Sequence, residues 1–231
     1  MSEQDPYQEM SKLLGASGSK IIPGIIKMIA DEKECKVLLA AFPAATVPEL
    51  SQKTGIPREE VQAMVRPMFL KGLLFSSKKE GDPRYYRVKT VPQFHDSSIL
   101  WKGATQEFYT LWKEYMDKEW REFGKVIETF LSKPMIRVIP VGATIESKAK
   151  VLAFEDVREI VNQARTLAVT PCTCRVIDGK CGKPVEMCIQ INRAAEYALE
   201  RGTGRALTRE EALRILHLAE KEGLIHVADN R

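Results

Sequence analysis

The segment TVPELSQKTGIPREEVQAMVRPMFLKGLLFSSKKEGDPRYYRVK, residues 46–89, indicates the fold of the first part of the chain. Apolar residues at helical spacing predict a short helix over 47–53 and a second helix that starts with Pro57 and ends at Gly72. Two short strands are predicted around the turn signal KKEGDP, and they are LLFSS (73–77) and RYYRVK (84–89). Together with a helix predicted just before it, this order is that of a winged helix-turn-helix.

The second helix of such a unit would enter a DNA major groove, so its charge bears on whether it reads DNA. It carries three basic and two acidic residues, and the adjacent Glu59 and Glu60 would face phosphates. We expect Pro67 to bend or shorten it. The hairpin is more basic, with Lys78, Lys79, Arg84, Arg87 and Lys89. DNA binding is therefore an alternative, and docking to another protein is the favoured role of this unit.

After residue 91 the pattern changes. The segment VPQFHDSSILWK predicts a linker, and apolar residues at helical spacing over 103–131 predict one long amphipathic helix that Pro134 ends. Its aromatic stripe suits a core or a homodimer contact. The sequence thus predicts a winged-helix-like domain at 1–91, a linker with the long helix at 92–134, and a C-terminal domain at 135–231.

The C-terminal part alternates short strands and helices. MIRVIPV predicts a strand, and FEDVREIVNQA predicts a helix with Ile160 and Val161 on one face. TLAVTPC leads into a cysteine-rich window, and INRAAEYALERG is predicted to be helical. Thr208 and Glu211 form a capping box for a final helix that Gly223 ends. We predict a mainly α protein with small β elements, of the α+β class, whose C-terminal α/β domain holds the cysteines.

The composition is that of a folded protein without membrane contact. The chain is 44% hydrophobic and 29% charged, with a formal net charge of +4, which argues against wholesale disorder and does not demand an acidic partner. No apolar run approaches the length of a membrane span, and the polar start MSEQDPYQEM is not a secretory signal. We expect a cytoplasmic protein, in a compartment where clustered cysteines are metal ligands or redox groups rather than structural disulfides.

Four of the five cysteines lie within PCTCRVIDGKCGKPVEMCIQI, residues 171–191. Positions i and i+2 point apart on a helix, so we expect Cys172 and Cys174 to share a site where the chain turns. Asp178-Gly179 is a turn signal that can bring Cys181 back, and Cys188 is predicted at the entry to the next helix. The window therefore looks like a loop that wraps a compact object. The fifth, Cys35, is predicted to be a buried apolar residue.

Four thiolates suit a zinc ion or an iron–sulfur cluster. Structural zinc sites usually take C-x2–4-C pairs, which the window lacks. Its C-x-C pair and two six-residue gaps would enclose a group larger than a single ion. This spacing favours a [4Fe-4S] cluster, with zinc, disulfides or free thiols as alternatives. Arg175, next to a predicted ligand, would balance the negative charge and raise the reduction potential. His217 and His226 are not predicted as ligands, because four thiols already complete a site.

Three segments resemble the ferredoxin-type [4Fe-4S] proteins of anaerobic bacteria and archaea: VLAFEDVREIVNQARTLAVTPCTCR, CGKPVEMCI and ERGTGRALTREEALRILHLAEKEGLIH, the last followed by ADN. In those proteins a C-x-C-R pair, a distal C-x-x-P and a further cysteine precede a helix that ends in GL-[VI]-H. The positions that match are Cys172, Cys174, Cys181, Cys188, Arg175 and Pro184. The winged-helix-like N-terminal part is also similar. The resemblance implies a cluster held by the four cysteines.

These observations predict a redox protein that passes single electrons to or from a partner oxidoreductase, and we expect a carrier or sensor rather than an enzyme. The first alternative is a redox-sensing winged-helix transcription regulator, in which the state of the cluster changes the affinity for DNA. The second is a zinc-stabilised interaction protein. Salt-dependent binding to duplex DNA distinguishes the carrier from the regulator, and the metal content identifies the zinc protein.

Overall fold

The computed structural model describes residues 5–77, 81–130, 136–138 and 157–229. Helices prevail and the sheets are small and antiparallel, so the chain belongs to the predicted α+β class. Contacts divide it into two compact units, Met1–Phe123 and Gly124–Arg231. The predicted boundaries lay near residues 92 and 135 instead.

The first unit contains helices and one hairpin. Its helices are α1 (Pro6–Leu13), α2 (Ile22–Ile29), α3 (Glu32–Ala40), α4 (Val47–Thr54), α5 (Arg58–Leu70), α6 (Val91–Ser98) and α7 (Gln106–Lys118), with α8 (Trp120–Phe130) starting in this unit. Strands β1 (Leu74–Ser76) and β2 (Tyr85–Arg87) pair antiparallel. The run α3, α4, α5, β1, β2 reproduces the predicted element order of residues 32–87.

Local signals explain where these helices start and stop. Thr46 and Glu49 form a capping box at α4, in which the Glu49 carboxylate accepts from the Thr46 amide at 2.7 Å. Gly55, in the left-handed region at φ 71°, ends α4. Helix α5 runs through Pro67 to Leu70, so the expected shortening is wrong. Its buried side chains lie on both sides of the proline, and this packing outweighs the local cost of about 3 kcal/mol.

The segment predicted as a linker is a helix of the first unit. Thr90 caps α6 by accepting from the Gln93 amide at 3.3 Å, and Phe94 is fully buried. The linker prediction was therefore wrong, because the apolar residues of this segment are spaced for burial on a helix. The Ser97 hydroxyl donates to the carbonyl oxygen of Gly72 at 2.6 Å. This bond connects α6 to the turn that follows α5.

The single long helix predicted over 103–131 is two helices. α7 ends at Lys118 and α8 begins at Trp120, with Glu119 between them. The Glu119 carboxylate accepts from the Ser19 hydroxyl at 2.5 Å and from the Lys20 amide at 3.1 Å, so a distant loop holds the break. The aromatic stripe of α7 is core: Phe108, Trp112 and Tyr115 are buried. Pro134 lies outside the described residues.

The second unit is built around a three-stranded antiparallel sheet in the order β5-β4-β6. Its elements are β3 (Ile136–Val138), α9 (Val157–Gln163), β4 (Leu167–Pro171), α10 (Thr173–Asp178), β5 (Glu186–Ile191), α11 (Arg193–Arg201), β6 (Arg205–Ala206), α12 (Arg209–Lys221) and β7 (Val227–Asp229). β3 pairs with β7 in a separate sheet. Val161, Ala164, Leu167 and Ala212 form the buried centre, which ties α9 and α12 to β4.

Candidate metal centre

Cys172 stands where the central strand turns into a short helix. It follows β4 directly and is the N-cap residue of α10, with extended backbone angles (φ −69°, ψ 114°). Its amide donates to the Val185 carbonyl at 2.8 Å, and its own carbonyl accepts from the Val176 amide at 3.0 Å. The chain thus changes from strand to helix within one residue. Because Cys172 lies outside the helix, it and Cys174 are not held on different faces as residues i and i+2 of one helix would be.

The sulfur of Cys172 lies among three donors. The thiols of Cys174 and Cys188 and the backbone amide of Arg175 all hydrogen-bond to it. These bonds, with that to Cys174 the largest effect, lower the pKa of Cys172 to about 2, although partial burial acts in the opposite direction. The positive charge of Arg175 contributes in the same direction as the donors. The thiolate, which is the form that binds metals, is therefore the state that this environment favours.

Cys188 reaches this group from the neighbouring strand. It lies in β5, opposite Thr170 of β4, so the prediction that it stands at the entry to a helix was wrong. The Thr170 hydroxyl donates to the Cys188 carbonyl at 3.3 Å and accepts from the Gln190 amide group at 3.3 Å. A register shift between Thr170 and Pro171 follows, next to the point where β4 gives way to Cys172. Bulges of this kind redirect side chains at the edge of a sheet.

Cys181 lies apart, in the exposed loop that joins α10 to β5. Gly179 ends α10 at φ 65°, and Gly182 has φ 64°, so both occupy the left-handed region that favours glycine. The Arg175 guanidinium spans the loop and donates to the Pro184 carbonyl at 2.9 Å. The turn predicted at Asp178-Gly179 is therefore present and is closed by Arg175, with Cys181 inside the closed segment.

The side chains gathered here are thiols, which are the type of ligand that a thiolate-bound metal ion or cluster requires. Three thiols from a strand end, a helix and a second strand are in contact, and the fourth lies in the loop that Arg175 closes. Within the described residues, no three or more His, Cys, Asp or Glu side chains stand in a ready arrangement for a metal ion. Binding therefore requires that Cys181 move toward the other three thiols and that these three rearrange around the metal.

The two histidines near the window contact a carboxylate of α12. His226 is buried and its Nε2 lies 3.3 Å from Glu220 Oε1, whereas His217 is exposed and its Nδ1 lies 3.8 Å from Glu220 Oε2. These contacts connect the end of α12 to the segment that leads into β7.

Two features of the centre were not predicted from the sequence. One is strand β5, for which the alternation in EMCIQI was the available signal. The other is the pair of Arg175 contacts, the amide to Cys172 and the guanidinium to Pro184. They join residues that only the folded loop brings together.

No protein-family model matches the chain, and no curated protein or solved structure matches it either. The chemical interpretation of the site rests on the residues and contacts described above.

Proposed function

We propose that the protein binds a [4Fe-4S] cluster through Cys172, Cys174, Cys181 and Cys188 and serves as an electron carrier for a partner oxidoreductase. The observation that carries the proposal is the meeting of three thiols around Cys172, one of which, Cys188, comes from a separate strand that only the fold brings there. When bound, such a cluster supplies reversible one-electron chemistry.

The residues around the thiols have definite tasks in this proposal. The Arg175 amide donates to the sulfur of Cys172, and hydrogen bonds to ligand sulfurs raise the reduction potential of a cluster. The Arg175 guanidinium holds the loop of Cys181 closed through Pro184. Cys174 and Cys181 are exposed, so the site opens at the surface, where a partner protein can approach for electron exchange.

The charges of the first unit support the carrier over the DNA-reading regulator. Lys71 of the α5 turn is paired with the buried Glu34, with Nζ at 2.7 Å from both carboxylate oxygens. In the hairpin, Arg87 is buried over the ring of Phe42. Arg84 donates to the Ala44 carbonyl at 2.8 Å. Lys71 and Arg87 are therefore not presented to phosphates, whereas Arg84 is exposed but paired with Glu49, with Nη2 2.9 Å from its carboxylate.

The remaining basic side chains of the hairpin are three lysines. Lys78 and Lys79 lie outside the described residues, and Lys89 lies over the ring of Tyr86, with Nζ 5.4 Å from its centre. The exposed face of α5 includes Arg58, Glu59 and Arg66, so it carries little net charge. A face of this kind suits contact with another protein.

The first experiment is purification without oxygen, followed by a visible spectrum and by iron, sulfide and zinc analysis of the same sample. We expect a brown protein with iron and sulfide in nearly equal amounts. Replacing any one of the four window cysteines by serine should remove or weaken the cluster, whereas Cys35→Ser should keep it, because that thiol is fully buried in the other unit. Full iron content in a window variant would exclude that residue as a ligand.

A zinc-stabilised site is the second candidate, and the closeness of the thiols favours it. Zn–S bonds of ~2.3 Å in a tetrahedron place the sulfurs about 3.8 Å apart. Thiols that already hydrogen-bond to one another, as Cys172 does with Cys174 and Cys188, need little movement to reach such a separation. A colourless protein with one zinc per chain, and no iron after anaerobic reconstitution, would establish this candidate and exclude the electron carrier.

A further inference from the structure

The contact between Cys172 and Cys188 has a second chemical consequence. The five cysteines all lie among the described residues, and none of them is in a disulfide. The backbone segments that carry this pair are neighbours in the sheet, since Cys188 lies opposite Thr170 and the Cys172 amide bonds to the Val185 carbonyl at 2.8 Å. The two thiols are already hydrogen-bonded to each other. A disulfide requires that the sulfurs approach further, to about 2.05 Å, with the two Cβ atoms about 3.5–4.5 Å apart.

We propose that, when no metal is bound, Cys172 and Cys188 form a reversible disulfide that closes the site to metal loading. The formation of the bond follows from the contact alone. Its blocking effect rests on the proposed function, because it requires that both residues be metal ligands.

The oxidant that we assign to this step is a hydroperoxide, with hydrogen peroxide as the simplest example. One sulfur attacks the peroxide oxygen and becomes a sulfenic acid, which releases one water. The second sulfur then attacks the first, the S–S bond forms, and the hydroxyl leaves as a second water after taking up a proton. Two thiols have lost two electrons and two protons in total, and one peroxide has become two waters.

The other two thiols of the window are poorer partners for Cys172. Cys174 also hydrogen-bonds to Cys172, but it lies only two residues away, in the first turn of α10, so a disulfide between them would close a small, strained ring. A bond between them would have to unwind that turn, because disulfides require facing Cβ atoms about 3.5–4.5 Å apart. Cys181 lies in the exposed loop beyond α10. Cys188 is held opposite the end of β4 by the sheet itself.

Peptide mapping of the metal-free full-length protein tests the pairing. Trypsin yields a peptide 166–175 with Cys172 and Cys174 and a peptide 181–193 with Cys181 and Cys188, because the Lys183–Pro184 bond resists cleavage. After one equivalent of hydrogen peroxide, we expect these two peptides to be linked under non-reducing conditions. The link should persist in the double variant Cys174→Ser/Cys181→Ser, where Cys172 and Cys188 are the only thiols left in the two peptides.

Three results would overturn the pairing. They are a bond confined to the peptide 166–175, a bond confined to 181–193, and loss of the link in the double variant. Cys188→Ser serves as the matched control and should abolish the link. The double variant decides the question by itself if that control fails to fold.

Metal loading tests the blocking effect and separates it from the proposed function. The reduced protein should become brown on anaerobic addition of iron and sulfide. The peroxide-treated protein should stay colourless until a phosphine reductant restores its thiols. Equal loading of the two forms would overturn the blocking effect. A third result is that the reduced protein takes up no iron while the peroxide-treated protein still shows the disulfide between Cys172 and Cys188. That result would refute the proposed function and the blocking effect together, but it would support formation of the disulfide.

Discussion

Arg175 offers the most informative single substitution in the candidate metal centre. Its guanidinium donates to the Pro184 carbonyl at 2.9 Å and closes the segment that carries Cys181. In Arg175→Gln this bond and the positive charge are lost, whereas the backbone amide that bonds to Cys172 is kept. The substitution therefore separates closure of the loop from the hydrogen bond to the ligand sulfur.

The size of the effect follows from the strength of that bond. A hydrogen bond from a charged donor contributes about 1.5–3 kcal/mol, and the low end applies here because Arg175 is half-buried. About 1.4 kcal/mol corresponds to a factor of ten in an equilibrium. If the loop must open before metal leaves, the variant should release its metal about tenfold faster.

The assay is the rate at which an excess of chelator removes iron from the anaerobically reconstituted protein, followed by the loss of visible absorbance. Lys180→Gln is the matched control, because it removes the same charge from an exposed position in the same loop. It should release iron at nearly the unchanged rate. Arg175→Lys keeps the charge without the planar guanidinium, and should resemble the glutamine variant if the bond to Pro184 matters more than the charge.

An unchanged release rate in Arg175→Gln, from protein that still contains a full complement of iron, would refute the role of Arg175 in closing the loop. Equal acceleration by Arg175→Gln and Lys180→Gln would show instead that only the charge of the window matters.

Three further predictions concern single positions. Burial raises the pKa of Cys35 to about 12, so a maleimide at pH 8 should label this thiol only after denaturation, and native labelling as fast as that of exposed thiols would contradict the prediction. Because the folded pKa exceeds the unfolded one, the contribution of Cys35 to stability is complete below about pH 8.5 and is lost as the pH rises toward 12. Gly72→Ala should destabilise the first unit by roughly 3 kcal/mol or more in urea unfolding, because φ is +78° and a Cβ would overlap the carbonyl oxygen of Ser97. A loss below about 1 kcal/mol would contradict this close approach of Gly72 to Ser97. Thr208→Ala should cost about 1 kcal/mol through loss of the α12 cap, and Thr208→Ser should restore most of it; equal stability of all three proteins would show that the capping box contributes nothing.

Much of the secondary structure could be predicted because its signals are local. The capping box at Thr208 and Glu211 acts within a few residues and lies where the sequence placed it, and the short helix predicted over 47–53 is α4, Val47–Thr54. The break at Glu119 could not be predicted in this way, since its hydrogen-bond partners are Ser19 and Lys20, about a hundred positions away in the chain. Helix α6 was missed because its polar residues resemble a loop until the burial of Phe94 is known.

The sequence by itself determined the chemistry that the C-terminal unit can offer. Four thiols in one short window, with a turn signal between them, are donors of the type that soft metals prefer, and this is the basis of the proposed metal centre. The tertiary structure decided which thiols meet. Cys188 contacts Cys172 because β5 pairs with β4 in one particular register, and Arg175 reaches Pro184 because the intervening loop folds back. Register and loop closure depend on contacts between distant residues, so no local pattern in the sequence could supply them.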